Sequence, residues 1–410
     1  MSDIQPGYKQ TEVGVIPEDW NVNAISDVAP LQRGFDLPTP QLRSGPFPVV
    51  YSNGVLHCHN KAVVTAPGVV TGRSGTIGKV NFIESDYWPH NTTLWVTSFK
   101  GNAPKFIYYL YQNIGLERFG TGSGVPTLNR NDVHSFSVPM PPVAEQEAIA
   151  DALSDTDALI ESLEQLITKK RHLKQGTMQQ LLTGKKRLPG FQSQKRFKFC
   201  ELGFIPDDWH CMQLPSLTDQ GIGSIKIGPF GSALKKEYLT KDGYKVYGQE
   251  NVYENNMDIG ERFISSEHYK KLQSCEIKAG DFLISMMGTV GKCIIVPTGI
   301  KKGIMDSHLL RLRLNSGKLN SSFLAQLFET RIVFDQVKQL SVGGIMEGLS
   351  SKIIKSLNLP IPTIQEQLSI AEALSDMDTE ITALETQLAK TRSLKQGMMH
   401  NLLSGRIRLL

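Results

Sequence analysis

Two stretches of the chain carry apolar residues at a fixed interval. Leu153, Ile160 and Ile167 stand seven residues apart with Thr156 and Leu163 interleaved, and Leu374, Ile381 and Leu388 repeat this with Met377 and Leu384. That spacing in a polar background draws a narrow apolar stripe along an α-helix. Prolines precede each stretch (Pro139, Pro141, Pro142; Pro360, Pro362), and Gly184 or Gly405 follows it, in the order expected of helix starts and stops. The pattern predicts two helices of about 40 residues, each roughly 60 Å long if unbroken at about 1.5 Å per residue. Gly176 and Gly397, inside L-K-Q-G, mark where a kink is expected. A stripe this narrow cannot bury itself alone. Either the helices pair as an antiparallel coiled coil with Leu153, Ile160, Leu163, Ile167, Leu374, Ile381, Leu384 and Leu388 as its seam, or each packs on its own domain.

Elsewhere the pattern is mainly that of strands. VVTGRSGTIGKVNFI and TTLWVTSF are rich in β-branched and aromatic residues and broken by glycine turns, while PKFIYYLYQNIGLERF reads as a short helix. In the second half KVYGQENVY, DFLISMMGTVGKCIIV and HLLRLRL read as strands, and FLAQLFETRIVFDQVKQL as the equivalent helix.

These halves form an internal repeat. Pro139 to Leu188 lies over Pro360 to Leu409 without a gap, with about half the positions identical. The openings agree too: Glu12, Gly14, Ile16, Pro17, Asp19 and Trp20 recur as Glu201, Gly203, Ile205, Pro206, Asp208 and Trp209. Between the matched ends the bodies diverge almost completely. The expected organisation is a first body over 1–140, a central helix over 141–190, a second body over 191–361 and a C-terminal helix over 362–410. The expected fold class is α+β: two globular α/β domains joined by two long helices, with a pseudo-twofold internal repeat. Two like frames carrying two unlike surfaces suit a protein that reads two different objects at a fixed separation. Matched polar residues on the helices, Glu145, Gln146, Lys174 and Gln175 with Glu366, Gln367, Lys395 and Gln396, are read either as a shared partner interface or as capping and solvating groups.

Length and composition agree with two domains, since 410 residues exceed one ordinary core. The formal net charge is only +4, so any nucleic-acid binding must come from local patches rather than a histone-like excess. No apolar run approaches the roughly 18 to 20 residues of a membrane span, and MSDIQPGYKQ has no charged leader followed by an apolar stretch, so a cytoplasmic protein is expected. Five scattered cysteines, Cys58, Cys200, Cys211, Cys275 and Cys293, never form a C-x-x-C pair and suggest neither a disulfide framework nor a zinc ribbon.

The candidate chemistry lies in the bodies. Gly75-Thr76-Ile77-Gly78-Lys79 recurs as Gly288-Thr289-Val290-Gly291-Lys292. It lacks the spacing and the strand-loop-helix context of a nucleotide-binding loop. Two readings remain: a glycine-tightened turn presenting Lys79 or Lys292, with Arg73 nearby, to DNA phosphate, or a plain hairpin with a solvated lysine. A second recurring segment, aligned from Gly122 and Gly343, ends in Asn129-Arg130-Asn131 or Ser350-Ser351-Lys352. Arg and Asn suit bidentate contacts with guanine and adenine edges, whereas Asn129 equally suits an Asx turn that starts the next element. Lys235 and Lys236 are weaker DNA-binding candidates, because paired lysines are commonly a solvated face. His57, Cys58 and His59 would place both histidines on one strand face, but further zinc ligands are not evident nearby. No N-P-P-[FY] or D-P-P-[FY] motif, Walker loop or H-E-x-x-H is present. A self-contained nuclease or methyltransferase therefore has no visible site, and a coiled-coil scaffold without sequence-specific DNA binding explains the helices only.

V-P-M-P-P, E-Q-E-A-I-A, a long helix, L-K-Q-G and L-L-T-G, repeated at the C-terminus after a second I-P-D-D-W, resemble the specificity subunits of type I restriction-modification enzymes over essentially the whole chain. The resemblance implies a non-catalytic subunit with two target-recognition domains, each followed by a spacer helix, the two helices packed antiparallel to fix the gap in a bipartite DNA site. It implies double-stranded DNA, two methyltransferase subunits and two restriction motor subunits as partners. It also implies no cofactor in this subunit, with S-adenosylmethionine, ATP and Mg on the partners. Divergent bodies lead us to expect an asymmetric target, each half read in the major groove.

Overall fold

The computed structural model describes residues 4–121, 126–191, 196–287, 291–340 and 349–409. The chain divides into two compact units, one holding the residues up to Leu166 together with those from Leu384 onward, the other Ile167–Ala383. Each unit is thus closed by the helical tail that follows the other body in sequence.

The first unit opens with a hairpin, Tyr8–Thr11 against Gly14–Pro17, and then Asn21–Ala24 pairs antiparallel with Ser137–Met140, joining the start of the body to its end. Strands β1 (Leu31–Arg33), β2 (Gly68–Gly72), β3 (Val80–Ile83) and β4 (Thr93–Val96) form an antiparallel sheet of order β1-β4-β2-β3. A three-stranded sheet adds Gly54–His59, Phe47–Tyr51 and Trp88–Pro89, the last two parallel. The helix Pro104–Ile114 lies on β2 and β3, burying Phe106, Ile107, Leu110 and Ile114; it starts on a proline, whose missing N–H costs nothing there, and stops at Gly115.

The second unit repeats the frame. Phe197–Cys200 pairs with Gly203–Pro206, and His210–Gln213 with Asn358–Ile361. Strands β5 (Ile225–Ile227), β6 (Phe282–Ser285), β7 (Cys293–Ile295) and β8 (Leu309–Leu312) take the order β5-β8-β6-β7, the same topology as in the first unit. The smaller sheet has grown to five strands but keeps its parallel pair, Tyr244–Tyr247 with Gly303–Met305. Two expected elements differ. The strand in KVYGQENVY ends at Tyr247, and Gln249–Tyr253 is a helical turn because Asn251 Oδ1 accepts the Gly248 N–H at 2.9 Å. FLAQLFETRIVFDQVKQL is two helices, Ser321–Phe328 and Arg331–Leu340, interrupted at Glu329 and Thr330, where the first helix's carbonyls are satisfied by i−3 turns.

The long helices run Val143–Leu181 and Ile364–Leu403, and both continue as α-helix through Gly176 and Gly397, so neither glycine ends its helix. Within each unit they pack antiparallel. In the first, Glu164 meets Arg392 at 2.5 Å, Asp157 meets Lys395 at 2.6 Å and Thr156 lies 3.7 Å from the Met398 sulfur, so one number rises as the other falls. In the second, Lys170 meets Glu380 at 2.5 Å and Lys174 meets Asp378 at 2.7 Å. Leu153, Leu163, Ile167, Leu374 and Ile381 are buried, whereas Ile160, Leu384 and Leu388 are half-buried.

The end of each tail plugs a unit. Leu402 and Leu403 join the core built on Trp20, Phe106 and Leu153, and Leu181 and Leu182 join that built on Trp209, Phe323 and Leu374. Beyond them Gly405 and Gly184 take positive φ of +74° and +69°, and a Cβ there would stand 2.5 and 2.4 Å from Pro17 and Pro206. This turn delivers an arginine. Arg408 bridges Glu145 (Nε–Oε1 2.7 Å, Nη2–Oε2 2.8 Å) and Asp19 (2.8 and 2.7 Å), while the Trp20 indole N–H donates to Glu145 Oε2 at 2.9 Å. Arg187 does the same in the second unit, donating to Glu366 Oε2 at 2.6 Å and to Asp208 at 2.9 Å twice, with the Trp209 N–H 3.1 Å from Glu366. Arg408 holds the Asp19 carboxyl below its usual range by direct hydrogen bonding. Gln146 and Gln367 complete the frame: each amide clamps the N–H of the residue before the body helix, Ala103 at 3.0 Å or Asn320 at 2.8 Å, and donates to Pro141 or Pro362. Of the two readings of these matched residues, Glu145, Gln146, Glu366 and Gln367 prove to be internal struts, while Lys174 and Lys395 are committed to ion pairs.

Glu145 is 3% exposed and Glu366 is fully buried. Stripping the arginine from such a carboxylate costs far more than losing a surface pair, on the order of 3 kcal/mol against less than about 1. Arg408→Ala is therefore expected to destabilise the first unit by on the order of 3 kcal/mol in chemical denaturation, and Asp19→Ala by less than about 1 kcal/mol. Equal losses in the two variants would contradict this account.

Candidate nucleic-acid interface

The recurring G-T-[IV]-G-K segment forms the turn of a hairpin in the first unit, between β2 and β3. Gly75 and Gly78 occupy positive φ, +81° and +86°, so the chain reverses without strain and leaves Lys79 exposed. Three other segments meet this turn. Arg73 and Ser74 donate their N–H groups to Thr92 O at 2.8 and 3.2 Å, Gly75 N–H reaches Pro126 O at 3.1 Å, and Lys79 Nζ donates to Asn53 O at 2.8 Å. The Arg73 carbonyl accepts the Leu128 N–H at 2.7 Å, which brings Asn129 and Arg130 beside the turn. Arg73 is half-buried, its guanidinium 3.4 Å from Asn91 O, while Asn129 and Arg130 are exposed.

Asn129 caps the helix Arg130–His134, accepting the Asn131 N–H at 3.0 Å, so the Asx-turn reading describes its fold role. His134 in that helix accepts the Leu31 N–H at 2.8 Å, tying it to the sheet; burial, aided by Arg130, lowers the imidazole pKa and favours the neutral ring this bond requires.

The second unit repeats the junction. Met286, which aligns with Arg73, accepts the Leu349 N–H at 2.9 Å, the counterpart of the Leu128 bond. Ser350 then caps the helix Ser351–Ser356, accepting the Ile353 N–H at 3.2 Å, and Lys352 is exposed in its first turn. Lys292 is exposed where the turn re-enters β7. Gly288, Thr289 and Val290, together with the aligned stretches 122–125 and 341–348, lie outside the described residues. Lys235 and Lys236 sit apart, on the short turns leading to the edge strand Leu239–Thr240, and Lys235 is paired with Glu237 at 3.3 Å.

The sequence reading missed Ser52, Asn53 and Thr92, which reach the junction only through long-range pairing; Asn53-Gly54 is an N-G hairpin dipeptide that could have signalled the first two. The two histidines do not act together. His59 is buried against Trp88 and hydrogen-bonded to Arg43, whereas His57 is exposed and meets Tyr51 edge-on.

The first unit therefore presents an exposed basic hairpin turn laced to a capped helix start, and the second unit repeats the backbone bond and the capped helix start and exposes Lys292, a form that can hold backbone phosphate and offer side chains to base edges. Residues 17–169 and 223–391 match the Type I restriction modification DNA specificity domain, and the chain belongs to that family. It is a type I specificity subunit, a non-catalytic DNA-recognition subunit. It is 24% identical over 435 residues to the MjaVIII specificity subunit of Methanocaldococcus jannaschii, covering 99% of this chain and 97% of that one. To the EcoBI specificity subunit of Escherichia coli it is 23% identical over 296 residues, 69% of this chain and 61% of the relative. Its fold is that of the S subunit of a type I restriction-modification system from M. genitalium (TM-score 0.59, 16% identity, 94% and 96% of the two chains). It likewise matches a chain from a structure addressing complex assembly and conformational transition of the type I R-M system (TM-score 0.55, 16% identity, 96% and 99%). Among the described residues, no helix is long and apolar enough to cross a membrane.

Capping gives a direct test of Asn129 and Ser350. Asn129→Ala and Ser350→Ala should each lower stability by about 1 kcal/mol in thermal or urea unfolding, and Asn129→Asp should restore it. An unchanged stability in the alanine variants would remove the capping role.

Proposed function

We propose that this chain selects a bipartite, asymmetric DNA target, one half-site per body, and brings two methyltransferase subunits and two restriction subunits to it. The observation that carries this reading is the duplicated junction: the same hydrogen bond, Leu128 to Arg73 and Leu349 to Met286, ties the end of the matching strand to a capped helix start in both units. The side chains there differ: Asn129 stands against Ser350 and Arg130 against Ser351, while half-buried Arg73 matches Met286, which turns into the second unit's core. One scaffold with two unlike faces reads two unlike sequences. In this reading the bodies 1–140 and 191–361 are the target-recognition domains, and 141–190 and 362–410 are the spacer helices. Arg73, Lys79, Asn129, Arg130, Lys235, Lys236, Lys292, Ser350 and Lys352 supply contacts to DNA, the lysines chiefly to phosphate. S-adenosylmethionine, ATP and Mg belong to the partner subunits, and the complex works in the cytoplasm, where its DNA is.

The modest net charge of +4 suits a reader whose grip on DNA is completed by its partners. Sequencing of modified adenines in cells that express this chain with an active cognate methyltransferase should show a new gapped motif absent without it. Exchanging the first body for that of a relative should change one half of that motif; loss of both halves, or no motif at all, would overturn the reading. Lys79→Ala, assayed in the complex with the methyltransferase, should weaken binding to all sequences alike and lower the slope of log affinity against log salt by about 1. A change in sequence preference with an unaltered salt slope would instead make Lys79 a base reader.

A further inference from the structure

Cys200 is the last residue of the second unit's opening strand, Glu201 starts the turn that follows, and Cys211 lies on the strand His210–Gln213 beside it. Sγ of both cysteines and a carboxylate oxygen of Glu201 all lie within 4.8 Å of one another, and Cys211 Sγ is 3.4 Å from Glu201 Oε2. We propose that these three side chains form a structural site for a thiophilic divalent cation of the zinc class, with water as fourth ligand.

Tetrahedral zinc with Zn–S of about 2.3 Å and Zn–O of about 2.0 Å sets its sulfur and oxygen ligands about 3.5 Å apart and its two sulfurs about 3.8 Å apart. The Cys211–Glu201 pair, at 3.4 Å, already stands at the sulfur–oxygen separation, and the Cys200 sulfur lies within 4.8 Å of both. Two soft thiolates select zinc-like cations over magnesium or calcium, and the carboxylate is a third donor that a disulfide would not use. The supporting strands are fixed: Cys200 is paired with Gly203 and Cys211 with Pro360. On binding, each thiol gives up its proton to solvent and the metal accepts a lone pair from each ligand.

The other repeat serves as an internal comparison. In the first unit Thr11 is paired with Gly14 and Val22 with Pro139, the registers that Cys200 and Cys211 occupy in the second. There the Thr11 hydroxyl donates to Gly14 O at 2.7 Å, and Val22 has no ligand atom, although Glu12 matches Glu201. The frame folds without thiols at these positions, and the second copy alone carries both. Such an ion would pin the opening hairpin to the next strand, and takes no part in catalysis.

The test uses the full chain, reduced and stripped of metal, titrated with cobalt(II). Binding of one equivalent is expected, with a thiolate-to-cobalt charge-transfer band and the intense visible bands of four-coordinate cobalt, both bleached by zinc. Cys200→Thr combined with Cys211→Val rebuilds the first unit's residues, so it should fold as judged by circular dichroism and lose the spectrum. Glu201→Gln should weaken binding at least ten-fold, and Glu12→Gln should leave it unchanged. The proposal is overturned if the cobalt spectrum is absent, if it persists in the double variant, or if thiol counting and mass show a Cys200–Cys211 disulfide in protein isolated from a reducing cytosol.

Discussion

The structure rests on two buried carboxylates. Glu145 and Glu366 stand at the start of the long helices where water is excluded, and a lone ionised carboxylate there would cost several kcal/mol. Each is rescued by a tryptophan N–H from the opening of the body and by an arginine from the end of a helical tail. In the first unit three segments far apart in sequence, around Asp19, Glu145 and Arg408, must therefore come together; in the second, Arg187 and Trp209 are near neighbours in sequence and only Glu366 comes from far away. The second carboxylate of each arginine, Asp19 or Asp208, is largely exposed and contributes little energy, but its bidentate bonds set the plane of the guanidinium.

Once this lock is formed, little else in the bodies must be shared. The antiparallel sheet order, the parallel pair in the smaller sheet and the backbone bond that ties the hairpin turn to the capped helix are all main-chain features, satisfied by many sequences. Side chains at the capped helix starts are free to differ, and they do, with Asn129 and Arg130 in one unit where Ser350 and Ser351 stand in the other.

Most of the frame was legible in the residues. The seven-residue stripe gave both long helices, the ungapped match gave the duplication, and the glycine-flanked lysine gave the first unit's hairpin turn. Sequence reading was weakest where local pattern competed with long-range contact. KVYGQENVY alternates like a strand, yet Asn251 caps a helical turn within it, and Glu329 and Thr330 break an apparently continuous helix; Gly176 and Gly397, by contrast, do not end theirs, because a single glycine costs a long helix only about 1 kcal/mol of local preference.

By itself the sequence determined the class of fold, the repeat and the absence of familiar catalytic motifs, because these are properties of periodicity and spacing along one dimension. Only the tertiary structure decided that Arg187 and Arg408 serve the body opposite in sequence order, that Asn53 and Thr92 join Lys79 at one junction, and that Cys200 and Cys211 stand side by side. Each of these depends on which strands pair and which tail returns to which core. That choice is made by burial and charge compensation across the whole fold, and no local stretch of residues encodes it.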